Sequence, residues 1–160
     1  MEFATADLCD AFSQLIQVAE PLFREYGGVR RFAGPIDTLR VFEDNTLVRQ
    51  ALESAGRGRV LVVDGGGSLR CALVGGRLAA LARSNGWAGL LINGCVRDAA
   101  ELREMSVGIR AINTAPMRSE KNGRGERGGK LRFAGVEFSP EHYLYADGDG
   151  ILLAGRNLLG

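Results

Sequence analysis

The chain has 160 residues, 46% of them hydrophobic and 24% charged, with 20 basic against 19 acidic side chains and a net charge of +1. This is the composition of a folded globular chain, not of a disordered or collagen-like one. The balanced charge gives no electrostatic case for direct nucleic-acid or membrane-surface binding.

Histidine narrows the chemistry further. His142 stands alone, so no zinc site built on several histidines exists, and no G-x-S-x-G elbow accompanies it to make a serine triad. It is read as a structural or surface residue. A metal site within one chain must use carboxylates, carbonyls and water, which favours Mg²⁺ or Mn²⁺. Cys9, Cys71 and Cys95 are odd in number and widely spaced, arguing against a disulfide framework or zinc ribbon. The acidic start, Met1–Asp7, is no signal peptide, and no apolar run reaches the ~18 residues of a membrane helix. The expectation is a reduced, cytoplasmic protein with one domain over residues 1–160.

In chain order, Thr5 is a candidate cap for a helix through Asp7–Phe12, followed by an irregular stretch punctuated by Pro21 and Gly27-Gly28. Phe32–Phe42 reads as a strand that Pro35 pushes to a sheet edge. Asp44-Asn45 caps a helix carrying Leu47, Val48, Ala51 and Leu52, which Gly56 stops. Val60–Val63 is a buried parallel strand by its continuous apolar run, and Asp64–Ser68 a turn. Ala72–Ser84 reads as helix, interrupted at Gly75-Gly76. Gly89–Ile92 is a strand, Asn93–Val96 a turn, Arg97–Met105 a helix and Val107–Asn113 a strand. This central β-α-β-α-β segment predicts an α/β fold with parallel strands and right-handed crossovers. Ser119–Lys130 is a polar, mobile loop. Lys130–Phe138, Tyr143–Ala146 and Ile151–Leu153 make a β-rich C-terminal part, with turns at Gly135 and Asp147–Gly150.

Ligands of parallel sheets bind at the carboxyl ends of strands, and two such ends carry chemistry. Asp64-Gly65-Gly66-Gly67 fails as a dinucleotide motif because Arg70 holds the third glycine position, which leaves a tight turn. Gly75-Gly76-Arg77-Leu78 opens a helix, whose free amides and dipole suit a carboxylate or phosphate, unless it merely breaks the helix. Asp98 and Glu101, three residues apart, share a helix face beside Arg97. Asp98 can hold a hard cation, Glu101 can order its waters, and Arg97 can grip a carboxylate through two hydrogen bonds. The plainer alternative makes Asp98 a helix-start acid and Arg97 a solvated charge.

Three segments, Val60–Arg70, Phe42–Asn45 and Gly94–Asp98, resemble the family of regulator of ribonuclease E activity A and class II 4-hydroxy-4-methyl-2-oxoglutarate aldolases. The resemblance runs from Asp7 to Ala154. Gly76, Arg97, Asp98 and Glu101 match the aldolase pattern of a glycine, twenty residues, Arg-Asp, two residues and an acid. It implies a homotrimer with a swivelling phosphohistidine-domain-like (β/β/α) fold. It further implies a divalent cation (Mg²⁺ or Mn²⁺) on Asp98, with Glu101 acting through water. Gly75, Gly76, Arg77 and Leu78 are expected to bind pyruvate together with Arg97. The reaction implied is cleavage of 4-hydroxy-4-methyl-2-oxoglutarate to two pyruvates, with oxaloacetate decarboxylation through the same enolate. Arg97 and Asp98 are the expected catalytic residues. Related aldolases often carry an acid at the position of Gly76, so the general base is unassigned, and a metal-bound water is the expected substitute. A lysine-based mechanism is not expected, since Lys121 and Lys130 both fall in the polar loop. The alternative is a non-catalytic protein that binds and inhibits ribonuclease E. Nothing in the residues supports the methyltransferase label once given to family members.

Overall fold

Val60, Leu61, Val62 and Val63 are all fully buried because β4 (Val60–Asp64) has protein on both faces. The structure, a computed structural model, describes residues 2–160. Before β4 come α1 (Thr5–Phe12), β1 (Ile16–Val18), β2 (Arg24–Glu25), β3 (Phe32–Arg40) and α2 (Thr46–Glu53). After it come β5 (Ala72–Val74), α3 (Gly76–Ser84), β6 (Gly89–Val96), α4 (Ala99–Leu102), β7 (Gly108–Thr114) and β8 (Glu126–Arg127). The chain closes with β9 (Leu131–Phe133), β10 (Val136–Phe138), β11 (Tyr143–Asp147) and β12 (Gly150–Ala154).

The result is a large mixed sheet with few helices, in the order β1-β12-β11-β3-β4-β6-β7-β2. The neighbours β3-β4, β4-β6 and β6-β7 run parallel, as the βαβ pattern requires. Along β4 the side chains alternate between two cores. Leu61 and Val63 meet Val48, Ala51, Leu52, Ala79 and Ala82 of the helices. Val60 and Val62 face Leu131, Val136 and Phe138 of the β9-β10 hairpin, together with Leu144 and Leu153.

Several expectations change. β3 is an interior strand, not an edge: it pairs with β11 through Phe32–Pro35 and with β4 from Ile36 to Arg40. Pro35 sits where the partners change over, so its missing N–H breaks no ladder. Thr5 does not cap α1; it lies inside it, and its amide and hydroxyl both donate to Asp147. The stretch after α1 contains the short strands β1 and β2. Ala72–Val74 is a strand rather than helix, because its backbone finds β6 as a partner. Asn93–Val96 continues β6 through a register shift rather than turning. The helix expected over Arg97–Met105 shrinks to α4.

Residues 120–130 of the polar segment are exposed yet pinned, and Ser119 is buried. Asp44, 2% exposed, accepts hydrogen bonds from the amides of Thr46, Asn122 and Arg124. Thr38 Oγ1 donates to Gly129 O, and Arg127 pairs with Asp37 at 2.7 Å.

Candidate functional site

The carboxyl ends of β5 and β6 lie side by side, and the chain leaves each by a different turn. From β5 it passes through Gly75 straight into α3. From β6 it passes through Arg97 to Asp98, which takes the left-handed conformation (φ 62°, ψ 42°) before α4. That conformation costs a non-glycine residue about a kcal/mol or more and persists only where the surroundings impose it. Here it turns the Asp98 carboxylate back onto α3, where Oδ2 accepts the Gly76 amide at 2.8 Å. The Arg97 amide donates to Val74 O at 3.0 Å, tying the two strand ends together.

Both glycines lie directly beneath acids. A Cβ on Gly75 would come within 2.6 Å of Asp98 Oδ2. A Cβ on Gly76 would overlap the Glu101 carboxylate. Glu101 therefore places its acid in the space that a side chain at position 76 would fill. The intrahelical ladder begins with Ala79 N donating to Gly75 O. With the Gly76 amide on Asp98, the amides of Arg77 and Leu78 remain outside that ladder. So the helix start is an anion site already partly filled by the protein's own carboxylate.

Gly75, Gly76, Arg77, Leu78, Arg97 and Asp98, expected from sequence to act together, all line one cleft of about 410 Å³. Arg97 Nη1 donates to Pro116 O at 3.3 Å. The opposite wall was not foreseen. It is formed by Asn45 and Arg49 of the α2 region with Arg118, Ser119 and Lys121. Lys121 Nζ donates to Asn45 Oδ1 at 3.0 Å, and Asn45 Nδ2 donates to Leu73 O at 3.1 Å. Lys121 is thus a fixed charge on the cleft wall, not part of a mobile loop as expected. It is exposed and hydrogen-bonded, unlike the desolvated amine of a Schiff-base lysine. Only the basic character of residues 118–130 hinted at this wall; the fold alone reveals which of those charges turn inward.

Among the described residues, no group of three or more His, Cys, Asp or Glu side chains is placed to hold a metal. Asp98 and Glu101 offer hard oxygen donors at one point. One or two carboxylates with the remaining positions left to water is the usual habit of Mg²⁺, so these residues fit a hydrated hard cation and not a zinc cage.

Other candidates resolve as structural. The Gly65 and Gly67 amides both donate to Asn93 O, and the Gly66 amide donates to Asp64 Oδ1, so this turn has no amide to spare for a phosphate. Burial pushes the Cys71 and Cys95 thiols up, which keeps them protonated and poor nucleophiles. His142 is exposed, and its backbone carbonyl accepts the Ile36 amide.

Known proteins align with this chain over its length. The RraA-like family, described as Aldolase/RraA, matches residues 5–153. A protein of Burkholderia multivorans named "Putative 4-hydroxy-4-methyl-2-oxoglutarate aldolase" is 57% identical over 163 residues, covering 99% of both chains. A Geobacillus kaustophilus structure described as an S-adenosylmethionine: 2-dimethylmenaquinone methyltransferase superposes with a TM-score of 0.96, at 53% identity over 98% of each chain. The RNA-processing inhibitor RraA from Thermus thermophilis superposes with a TM-score of 0.94 at 49% identity, over 98% of this chain and 94% of that one.

Proposed function

Since the chain belongs to the RraA-like family, we propose that it is a divalent-metal-dependent aldolase cleaving 4-hydroxy-4-methyl-2-oxoglutarate to two pyruvates. One observation carries the reading: Arg97 and Asp98 meet the start of α3 in a cationic cleft, and the Glu101 carboxylate packs over Gly76 beside it. A bare protein-binding surface has no need of two carboxylates folded onto two glycines.

Cleavage breaks the C3–C4 bond of the substrate. Its electron pair passes into the enolate of one pyruvate, while the 4-hydroxyl loses a proton. Asp98, through its free oxygen, and Glu101, through water, would hold Mg²⁺ or Mn²⁺, which when bound supplies positive charge beside the oxygen where negative charge collects. Arg97 aligns the 2-oxo acid through its planar fork, and the amides of Arg77 and Leu78 at the helix start receive the carboxylate. Glu101, filling the space of an acid at position 76, accepts the 4-hydroxyl proton. Oxaloacetate decarboxylation yields the same enolate and is expected as a second activity with the same requirements. The glycine turn after β4 spends its amides internally, which removes the one motif suited to a nucleotide-like methyl donor.

The test is pyruvate release from 4-hydroxy-4-methyl-2-oxoglutarate with and without Mg²⁺ or Mn²⁺. Asp98→Asn keeps the shape and removes the charge. It is expected to abolish metal-dependent turnover with the fold intact, and unchanged activity at saturating metal would overturn the site. The 49% identity to an RNA-processing inhibitor favours a second reading, a regulator that binds ribonuclease E. Binding of purified ribonuclease E by a chain that releases no pyruvate would decide for it.

A further inference from the structure

The cleft is lopsided in charge. Its lining carries Arg49, Arg77, Arg97, Arg118 and Lys121 against the single carboxylate of Asp98. A pyruvate unit with one carboxylate uses the α3 end, through Arg97 and the helix start. That leaves the far wall, from α2 and residues 118–121, without a task.

The far wall is a built surface. Lys121 is held by Asn45, which is itself fastened to β5 through Leu73 O. The segment carrying Arg118 and Lys121 hangs from the buried Asp44 through the amides of Asn122 and Arg124. Its two arginines are also available. Arg49 has one ion pair, with Glu53 at 3.7 Å, and both side chains are more than half exposed (59% and 54%). Such a pair holds little energy and yields readily to a better-placed anion. Arg118 makes no ion pair among the described residues.

We propose that Arg49 and Arg118, flanked by Lys121, form a second anion subsite that receives the distal carboxylate of a 2-oxo dicarboxylate. The subsite makes the protein select substrates by the charge at their far end. This rests on the aldolase reading, which places the 2-oxo acid end at α3. The volume of about 410 Å³ accommodates a five-carbon diacid lying across the cleft. A planar guanidinium matches a carboxylate through two hydrogen bonds, and two of them in a concave site concentrate the positive field. The distal carboxylate keeps its charge while the C3–C4 bond breaks. The subsite therefore binds substrate and transition state alike and acts on KM rather than kcat.

Equilibrium binding tests this without turnover. The probes are 2-oxoglutarate and 2-oxopentanoate, equal in carbon count but differing in the distal carboxylate, titrated calorimetrically with Mg²⁺ present. Wild type is expected to bind 2-oxoglutarate at least about tenfold more tightly. Arg49→Gln/Arg118→Gln is expected to lose most of that preference, and Arg49→Lys/Arg118→Lys to keep the larger part of it through charge alone. A wild type without preference, one that binds neither acid, or an undiminished preference in the glutamine variant overturns the subsite. If the preference behaves as expected but no pyruvate is released from 4-hydroxy-4-methyl-2-oxoglutarate, the aldolase reading fails and the subsite stands.

Discussion

At Gly76 a single added carbon atom must displace the Glu101 carboxylate. Gly76→Ala drives a methyl group into the Glu101 carboxylate. Glu101 is exposed and its carboxylate can swing aside, so the expected cost in stability is below about 1 kcal/mol, with a fall in pyruvate release of about tenfold or more. Adding Glu101→Ala should leave the melting temperature close to that of the single variant and should not return the activity. Recovery of the activity would show that Glu101 only fills space. Arg97→Lys keeps charge but loses the fork, so kcat/KM is expected to fall severely while metal affinity, measured by titration, changes little. How legible these residues are differs from one to the next. The spacing of Gly76, Arg97, Asp98 and Glu101 can be read along the chain, because one helix, α3, and one strand, β6, bring them together. The meeting of Arg49 with Arg118 and Lys121 cannot, because α2 and the segment 118–121 lie far apart in the chain and are brought together only by the sheet order.

Among the elements, β5 and β6 show why local reading fails beside the site. Ala72-Leu73-Val74 contains good helix formers, but parallel pairing with β6 overrides propensity. Asn93-Gly94 looks like a turn, yet Asn93 Nδ2 donates to Asp64 Oδ1 at 3.0 Å, which keeps β6 extended beyond the shift in register. The polar loop after β7 reads as solvent-exposed, and residues 120–130 are. What its composition hides is the peg at Asp44. Burial pushes the Asp44 carboxyl up, but the hydrogen bonds from Thr46, Asn122 and Arg124 outweigh it and hold the group below its ordinary 3.8. A carboxyl lowered on folding adds stability that is complete above the unfolded-state value and is lost as pH falls through the folded-state value. Asp44→Asn is therefore expected to cost about 1–3 kcal/mol at neutral pH. That gap from wild type should narrow as the pH drops below 3.8, measured by denaturant unfolding at each pH. A gap that is constant with pH would show that Asp44 does not hold the segment as a charged group.

For the whole molecule, Phe42, Leu69 and Met117 stand 56%, 60% and 63% exposed. Large apolar side chains so placed suit contact with further copies of the chain, in keeping with the homotrimer that the resemblance implies. Sedimentation at micromolar concentration is expected to give three times the chain's mass, and a clean monomer would contradict the trimer. The sheet order carries a different consequence. Its two ends, β1 and β2, are neighbours in sequence, yet β1 pairs with β12 and β2 with β7, while Thr5 is fastened to Asp147 across 142 residues. A ribosome delivers this first segment long before anything exists to receive it. Val18 and its neighbours must wait, unpaired, until residues 150–154 have been made. A strand made early is thus among the last to find its place, and the interval between those two events is when the nascent chain is most open to pairing with a wrong strand.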